Sequence, residues 1–235
     1  VLLLYYLCPA RLRNLVLLVF SLVFYAWGEP VYVLIMLFSI VFDYANGRLI
    51  EHFKNKNCPG KAKAALIVDL CGNLAILGFF KYTDFVIGSI NSITGAGLSL
   101  LHIALPIGIS FFTFQILSYV IDLYRGRYPV QKNILNLALY ISFFPQLIAG
   151  PIVRYVDIDR QLESRTHSTQ KAMEGIRRFL YGLGKKVLIA NVLGQCVDSI
   201  YAMELSEVTG AFAWLAAGMY MLQICLLYTS DAADD

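Results

Sequence analysis

An all-α protein built from several membrane-crossing helices is the fold class that the sequence predicts, and three observations predict it. Apolar residues make up 58% of the 235 residues and charged residues 15%. Soluble domains run near 45–50% apolar and about 25% charged, so a soluble fold of this length has nowhere to hide the surplus. The mean hydropathy is +0.64. The basic residues gather in short stretches between apolar blocks long enough to cross a bilayer, which needs about 20 residues each time.

The blocks follow in order. Residues 14–28 (NLVLLVFSLVFYAWG) form a first span, closed by Glu29-Pro30, with Pro30 suited to the first turn of the next helix. Residues 31–47 form a second span. A basic polar loop over 48–63 carries Arg48, Lys54, Lys56, Lys61 and Lys63, with Asn57-Cys58-Pro59-Gly60 as its turn. A third apolar segment covers 64–80, a mixed stretch covers 81–100, and a long apolar run covers 101–123. A second basic loop at 124–133 holds Arg125, Arg127 and Lys132. Residues 134–152 are apolar, 153–187 are polar and basic, and 188–203 and 211–228 are the last apolar segments.

Basic residues favour cytoplasmic loops. On that rule Arg11 and Arg13, the loop 48–63 and the loop 124–133 lie inside, and the stretch 83–100 lies outside. The alternation then fails. Segment 134–152 starts inside, and the most basic region of the chain follows it. Pro145 removes an amide donor from a helix interior, and Gly150-Pro151 is a second breaker. The segment 134–151 is therefore expected to be a broken or re-entrant element that returns to the inside, a shape tolerated where it is buried in protein or lines a wet cavity. Segment 171–187 (KAMEGIRRFLYGLGKKV) places Met173, Ile176, Phe179, Leu180 and Leu183 at helical spacing, with Arg177, Arg178, Lys185 and Lys186 mostly elsewhere. It reads as a basic amphipathic helix on the membrane surface, with membrane lipid as its partner.

Gln146 needs partners for its amide inside an apolar stretch, and Arg154 places a cation beside the break. Gln146, Gly150, Pro151 and Arg154 read either as the polar lining of a substrate channel or as the glue of a helix break. Asp122 reads as an interfacial cap paired with an arginine, and Asp43 as a structural residue near a boundary. Lys81 and Asp84 read as snorkelling at a span end. His52, His102 and His167 have no nucleophile or acid at useful spacing, so no catalytic residue is assigned. The five cysteines form no metal or disulfide pattern, and no metal site is expected. A net charge of +3 gives no case for nucleic acid as a partner.

Four strings carry a family resemblance: SLVFYAWGEP (21–30), LPIGISFFTFQILSYVIDLYRG (105–126), ALYISFFPQLIAGPIVRYVDIDRQL (138–162) and GIRRFLYGLGKKVLIAN (175–191). They resemble the membrane-bound O-acyltransferases, in the branch of alginate O-acetyltransferase membrane subunits and their relatives. The resemblance implies a ring of tilted helices with a tunnel through a thinned membrane centre. It implies a multi-pass protein of the bacterial inner membrane that passes an acyl group, acetyl above others, toward an extracytoplasmic polysaccharide or peptidoglycan. It also implies a donor such as acetyl-CoA or a carrier-bound acyl group, no resident cofactor, and a periplasmic acyltransferase as partner. The family's base is a histidine in a segment that lies beyond a Gln-Ile like Gln223-Ile224, and none of the three histidines here matches that motif. Residues 1–224 read as the N-terminal part of one such domain and 225–235 (CLLYTSDAADD) as a non-native tail, so the chain is expected to be an inactive fragment. A polytopic transporter and a non-enzymatic membrane scaffold are the rival readings, since broken helices at mid-membrane also build transport sites.

Overall fold

The computed structural model describes residues 1–147, 153–163, 165, 168–204 and 208–230. All regular secondary structure among them is helical, and it forms two compact units, Val1–Ser164 and Arg165–Asp235. Four segments are long and apolar enough to cross a membrane: Ala10–Gly28, Val33–Asn55, Pro59–Thr94 and Gly210–Leu227. The expected all-α membrane architecture is what the chain adopts.

The first unit starts with a short α1 (Leu2–Leu7), then a 3-10 turn at Ala10–Leu12, α2 (Arg13–Gly28), α3 (Val33–Asn55) and α4 (Pro59–Thr94). These helices bury one stripe and leave apolar side chains such as Val23, Phe38, Val68 and Phe79 exposed on the other, the surface expected of lipid-facing helices. The interior belongs to α5 (Ile109–Arg125) and α6 (Ile134–Ser142). On α5 one face from Ile109 to Leu123 is buried, and on α6 every residue from Asn136 to Ser142 is buried. Their core joins Ile109, Phe112, Ile116 and Tyr119 to Leu137, Tyr140 and Ile141, and to Met36 and Ile40 of α3.

Three of the expected boundaries move. The loop expected at 48–63 is mostly helix, since α3 runs to Asn55 and α4 starts at Pro59. Lys, Arg and Glu are good helix formers once a helix has left the apolar layer, so charge marked the membrane edge rather than the helix end. The segment 64–80 and the mixed stretch as far as Thr94 lie on one helix of 36 residues. At 1.5 Å per residue it is about 54 Å long, well beyond a ~30 Å apolar layer. The run 101–123 is helical only from Ile109, because Pro106 and Gly108 precede it. Residues 95–108 are instead an apolar non-helical strap held to its surroundings by polar anchors. The Leu101 amide donates to Asp84 Oδ1 at 2.9 Å, Asn91 bonds both the amide and the carbonyl of Leu98 at 2.7 Å, and the Tyr32 hydroxyl donates to the Ala104 carbonyl at 3.0 Å. Asp84 is thus an anchor for the strap and not merely a snorkelling group.

The ends of α3 and α5 are tied together. Lys54 Nζ donates to the carbonyls of Leu123 and Tyr124, at 3.4 and 3.0 Å, which are among the last carbonyls of α5; that of Leu123 also accepts from the Gly126 amide at 3.0 Å. Gly126 takes the left-handed conformation that closes α5, and the Arg127 amide bonds back to the Asp122 carbonyl at 3.1 Å. Asp122 does pair with an arginine, and the partner is Arg127 at 3.1 Å.

The second unit holds α9 (Thr169–Gly184), a π-turn at Lys185–Ala190, α10 (Asn191–Tyr201) and α11 (Gly210–Ser230). The Ser168 hydroxyl caps α9 by accepting from the Lys171 amide at 3.1 Å. Met173, Ile176, Phe179 and Leu180 are all exposed, so α9 is the amphipathic helix expected at 171–187. Gly194 of α10 lies so close to Gln223 of α11 that a Cβ there would come within 2.8 Å of its amide nitrogen. The tail expected from 225 begins inside α11, which continues to Ser230; 231–235 lie outside the described residues.

Gly108 serves two requirements at once. Its φ is +77°, and an added Cβ would sit 2.7 Å from the backbone oxygen of Leu147. Gly95 has a similar φ of +67° with open space around it. Each left-handed non-glycine residue costs about 1–3 kcal/mol, and a shift of ~1 kcal/mol moves the melting point of a chain this size by about 2–4 °C. Gly95→Ala should therefore lower the melting temperature by a few degrees, and Gly108→Ala by about twice that or more. Equal losses in a thermal unfolding assay would show that the Leu147 contact is not tight.

Candidate functional site

The polar chemistry of the first unit concentrates where α6 stops. A helix continuing past Ser142 would give the Phe144 amide to the Tyr140 carbonyl and an amide at 145 to Ile141. Residue 145 is proline, which has no amide hydrogen. The Phe144 amide turns instead to Ser21 Oγ on α2, at 3.4 Å. The short helix α7 (Phe144–Leu147) restarts the chain in a new direction.

Two glutamines replace what the break removes. Gln115 Nε2 of α5 donates to the Tyr140 carbonyl at 2.9 Å, and Gln146 Nε2 donates to the same oxygen at 2.7 Å. One carbonyl oxygen has two lone pairs and can satisfy both donors. Of the four residues singled out in the sequence, Gln146 is thus placed at the break with its amide turned onto the protein's own backbone. Arg154 is exposed, and its carbonyl accepts from the Asp157 amide as α8 (Tyr155–Glu163) begins. Gly150 and Pro151, the C-terminal part of the element expected at 134–151, and His167 lie outside the described residues.

Behind the break sits a cluster of four tyrosines that sequence reasoning missed. The ring of Tyr155 lies 5.0 Å from Tyr119, 4.9 Å from Tyr128 and 5.2 Å from Tyr140. The Tyr140 hydroxyl donates to the Val153 carbonyl at 2.9 Å, tying the chain on the far side of the break back to α6. Gln131 Nε2 donates to the Tyr155 hydroxyl at 2.7 Å, and the Gln131 amide donates to the Tyr119 hydroxyl at 3.2 Å. Burial pushes the Tyr128 hydroxyl above the usual tyrosine range, with the neighbouring Tyr119 adding to it. Burial does the same to Tyr155, helped by Asp159. Both therefore act as neutral hydroxyls rather than as bases. No helical or alternating period links residues 119, 128, 140 and 155, so only the fold brings them together.

Chemically this is a rigid polar seam with fixed amides and neutral hydroxyls, and with a guanidinium exposed at its edge. His52 and His102 are exposed and stand apart from it, and His102 sits in the strap with φ of +48°. Among the described residues no group of three or more His, Cys, Asp or Glu could hold a metal ion.

The family model for the membrane-bound O-acyltransferase family matches residues 128–233, a stretch that includes the break, Arg154 and α9. The chain is 41% identical over 94% of its length to a protein of Azotobacter vinelandii named "Probable alginate O-acetylase AlgI", covering 44% of that relative. It is 32% identical, again over 94% of its length, to the "Peptidoglycan O-acetyltransferase" of Helicobacter pylori, covering 47% of it. It is 24% identical over 81% of its length to the "Teichoic acid D-alanyltransferase" of Lacticaseibacillus rhamnosus. The chain thus spans about half the length of the curated relatives it matches. No solved structure matches it.

The shared carbonyl makes a sharp prediction. Gln115→Leu or Gln146→Leu alone leaves one donor on the Tyr140 oxygen and should cost about 1 kcal/mol. The double substitution leaves a buried carbonyl unsatisfied and should cost more than the sum of the two. A double-mutant cycle on unfolding in detergent measures this coupling, and strict additivity would contradict the arrangement.

Proposed function

The chain belongs to the membrane-bound O-acyltransferase family, and from that premise we propose that the whole protein transfers an acyl group, acetyl above others, to a polysaccharide or peptidoglycan outside the cytoplasm. The observation that carries this reading is the 41% identity sustained over 94% of the chain to a probable alginate O-acetylase. The reaction breaks the acyl–sulfur bond of a donor such as acetyl-CoA or a carrier-bound thioester. It forms an ester to a hydroxyl of the acceptor, and the hydroxyl proton ends on the departing sulfur. No resident cofactor is needed for that exchange. A periplasmic acyltransferase is the expected partner for handing the acyl group on.

In this reading the broken element is a wall of the acyl path. Gln146 stands at that wall, Gly150 and Pro151 belong to the same sequence motif, and the exposed Arg154 guanidinium binds anionic groups of the donor. The protein sits in the bacterial inner membrane and crosses it several times, with the basic stretches 48–63 and 124–133 facing the cytoplasm. The Lys54 bonds to the end of α5 support the common side, since they hold the C-terminal ends of α3 and α5 together. The amphipathic α9 lies on the cytoplasmic leaflet. Residues 1–235 alone have no turnover in this reading, because none of their three histidines matches the family's base motif.

Charged hydrogen bonds are worth about 1.5–3 kcal/mol, so Arg154→Ala should lower polymer O-acetylation roughly 10–100-fold in cells making the whole protein. Unchanged acetyl content of the exported polymer would remove Arg154 from the site. The 235-residue chain, purified and given acetyl-CoA with an oligosaccharide acceptor, should show no product above background. Turnover there would bring His102 back as a candidate base. For orientation, single cysteines at Lys56 and Lys132 in a cysteine-free background should resist an impermeant thiol reagent in intact cells, and labelling of either from outside would reverse the topology.

A further inference from the structure

Among the described residues, two carboxyls are fully buried between α3 and α4. Asp43 on α3 and Asp69 on α4 are each 0% exposed, and Asn73, one turn after Asp69, is 1% exposed. The spacing 69 to 73 puts an acid and an amide on one face of α4, opposite Asp43. The two carboxyls lie against each other at hydrogen-bonding range, with Asn46 beside Asp69. Asn73 Nδ2 donates to Asp43 Oδ1 at 2.7 Å, to the Asp69 carbonyl at 3.1 Å and to Asp69 Oδ2 at 3.4 Å.

Counting the donors leaves a gap. Asp43 Oδ2 and Asp69 Oδ1 are both buried and both lack a partner. An ionised carboxylate only accepts, so two of them in contact cannot satisfy each other. Nor does a cation stand by: among the described residues, no Lys, Arg or His pairs with either acid. The polar side chains that bond the pair, Asn46 and Asn73, are neutral, and Tyr119 of α5 lies within electrostatic range of Asp43. Two like charges in contact without water are strongly unfavourable, and removing one of them turns an acceptor into a donor.

We propose that Asp43 and Asp69 hold one proton between them, an acid–carboxylate pair that fastens α3 to α4 within the apolar layer. One proton between Asp43 Oδ2 and Asp69 Oδ1 completes the count. Asp43 donates, Asp69 accepts, and Asn73 supports the outer oxygens of both. The pair then carries a single negative charge spread over two carboxyls, which is far cheaper to keep in a membrane helix pair than two charges. The site binds a proton where it could otherwise bind a small cation, and that difference is measurable.

The test is the infrared spectrum of the 235-residue chain in lipid nanodiscs at neutral pH. A carboxylic-acid carbonyl band should be present, and it should move on deuterium exchange and on 13C-aspartate labelling. It should vanish in Asp43→Asn and in Asp69→Asn. Each amide supplies an N–H in place of the shared O–H, so each variant should melt within about 3 °C of the wild type. Asp43→Leu offers no donor and should melt lower. A wild-type spectrum with no aspartic-acid band overturns the proposal, whether or not the variants fold. So does a melting temperature that rises with sodium in the wild type but not in Asp43→Asn, which would mark a cation site between two ionised carboxylates.

Discussion

A carbonyl that loses its helix partner must find another, and in an apolar layer water is not there to supply one. The Tyr140 oxygen is where this constraint falls most heavily. Pro145 ends the regular ladder, Phe144 gives its amide to Ser21, and the freed oxygen is taken by Gln115 and Gln146. Much of the first unit is arranged around that substitution. α5 must pass close enough to bring Gln115 in, which sets the buried face of α5 against α6. The break must then stay fixed, and the Tyr140 hydroxyl and the tyrosine cluster pin the chain beyond it. Gly108 lets the start of α5 touch the backbone at Leu147, immediately past the break.

The same economy recurs at several helix ends and along the strap. Lys54 caps α5 from α3, Asn91 and Asp84 hold the strap at 95–108, and Ser168 opens α9. In each case a single polar side chain stands in for solvent. Asn14 shows the pattern at the other edge, donating to Asn136 Oδ1 at 2.9 Å and to the Leu162 carbonyl at 2.8 Å. These bonds connect residues more than one hundred positions apart, which is how a chain with few charges obtains specific rather than merely greasy packing.

The helical class, the amphipathic α9 and the break near Pro145 were legible in the sequence, because composition, a 3.6-residue period and proline each act locally. The length of α4 was not. Lys81, Asp84 and Asn91 look like the end of a span, yet they lie on a helix that simply outruns the bilayer. Asp69 was overlooked inside an apolar run, although Asn73 four residues on was the available signal of a polar face. Gln146 reads in the sequence as an amide that needs partners, and its partner is a carbonyl six residues back along its own chain. Gln115, Gln131 and the tyrosine cluster had no sequence signature, since their meeting depends on how α5 and α6 cross.

Two glutamine amides hold the Tyr140 carbonyl at the break. Tyr140-Ile141 is the only Tyr-Ile step in the sequence. Labelling tyrosine carbonyls with 13C and isoleucine amides with 15N therefore selects one carbonyl in a solid-state NMR spectrum of the chain in lipid. Its shift should be that of a strongly hydrogen-bonded carbonyl, moving upfield in Gln115→Leu and in Gln146→Leu, and further in the double variant. A resonance that stays in place in both single variants would contradict this arrangement.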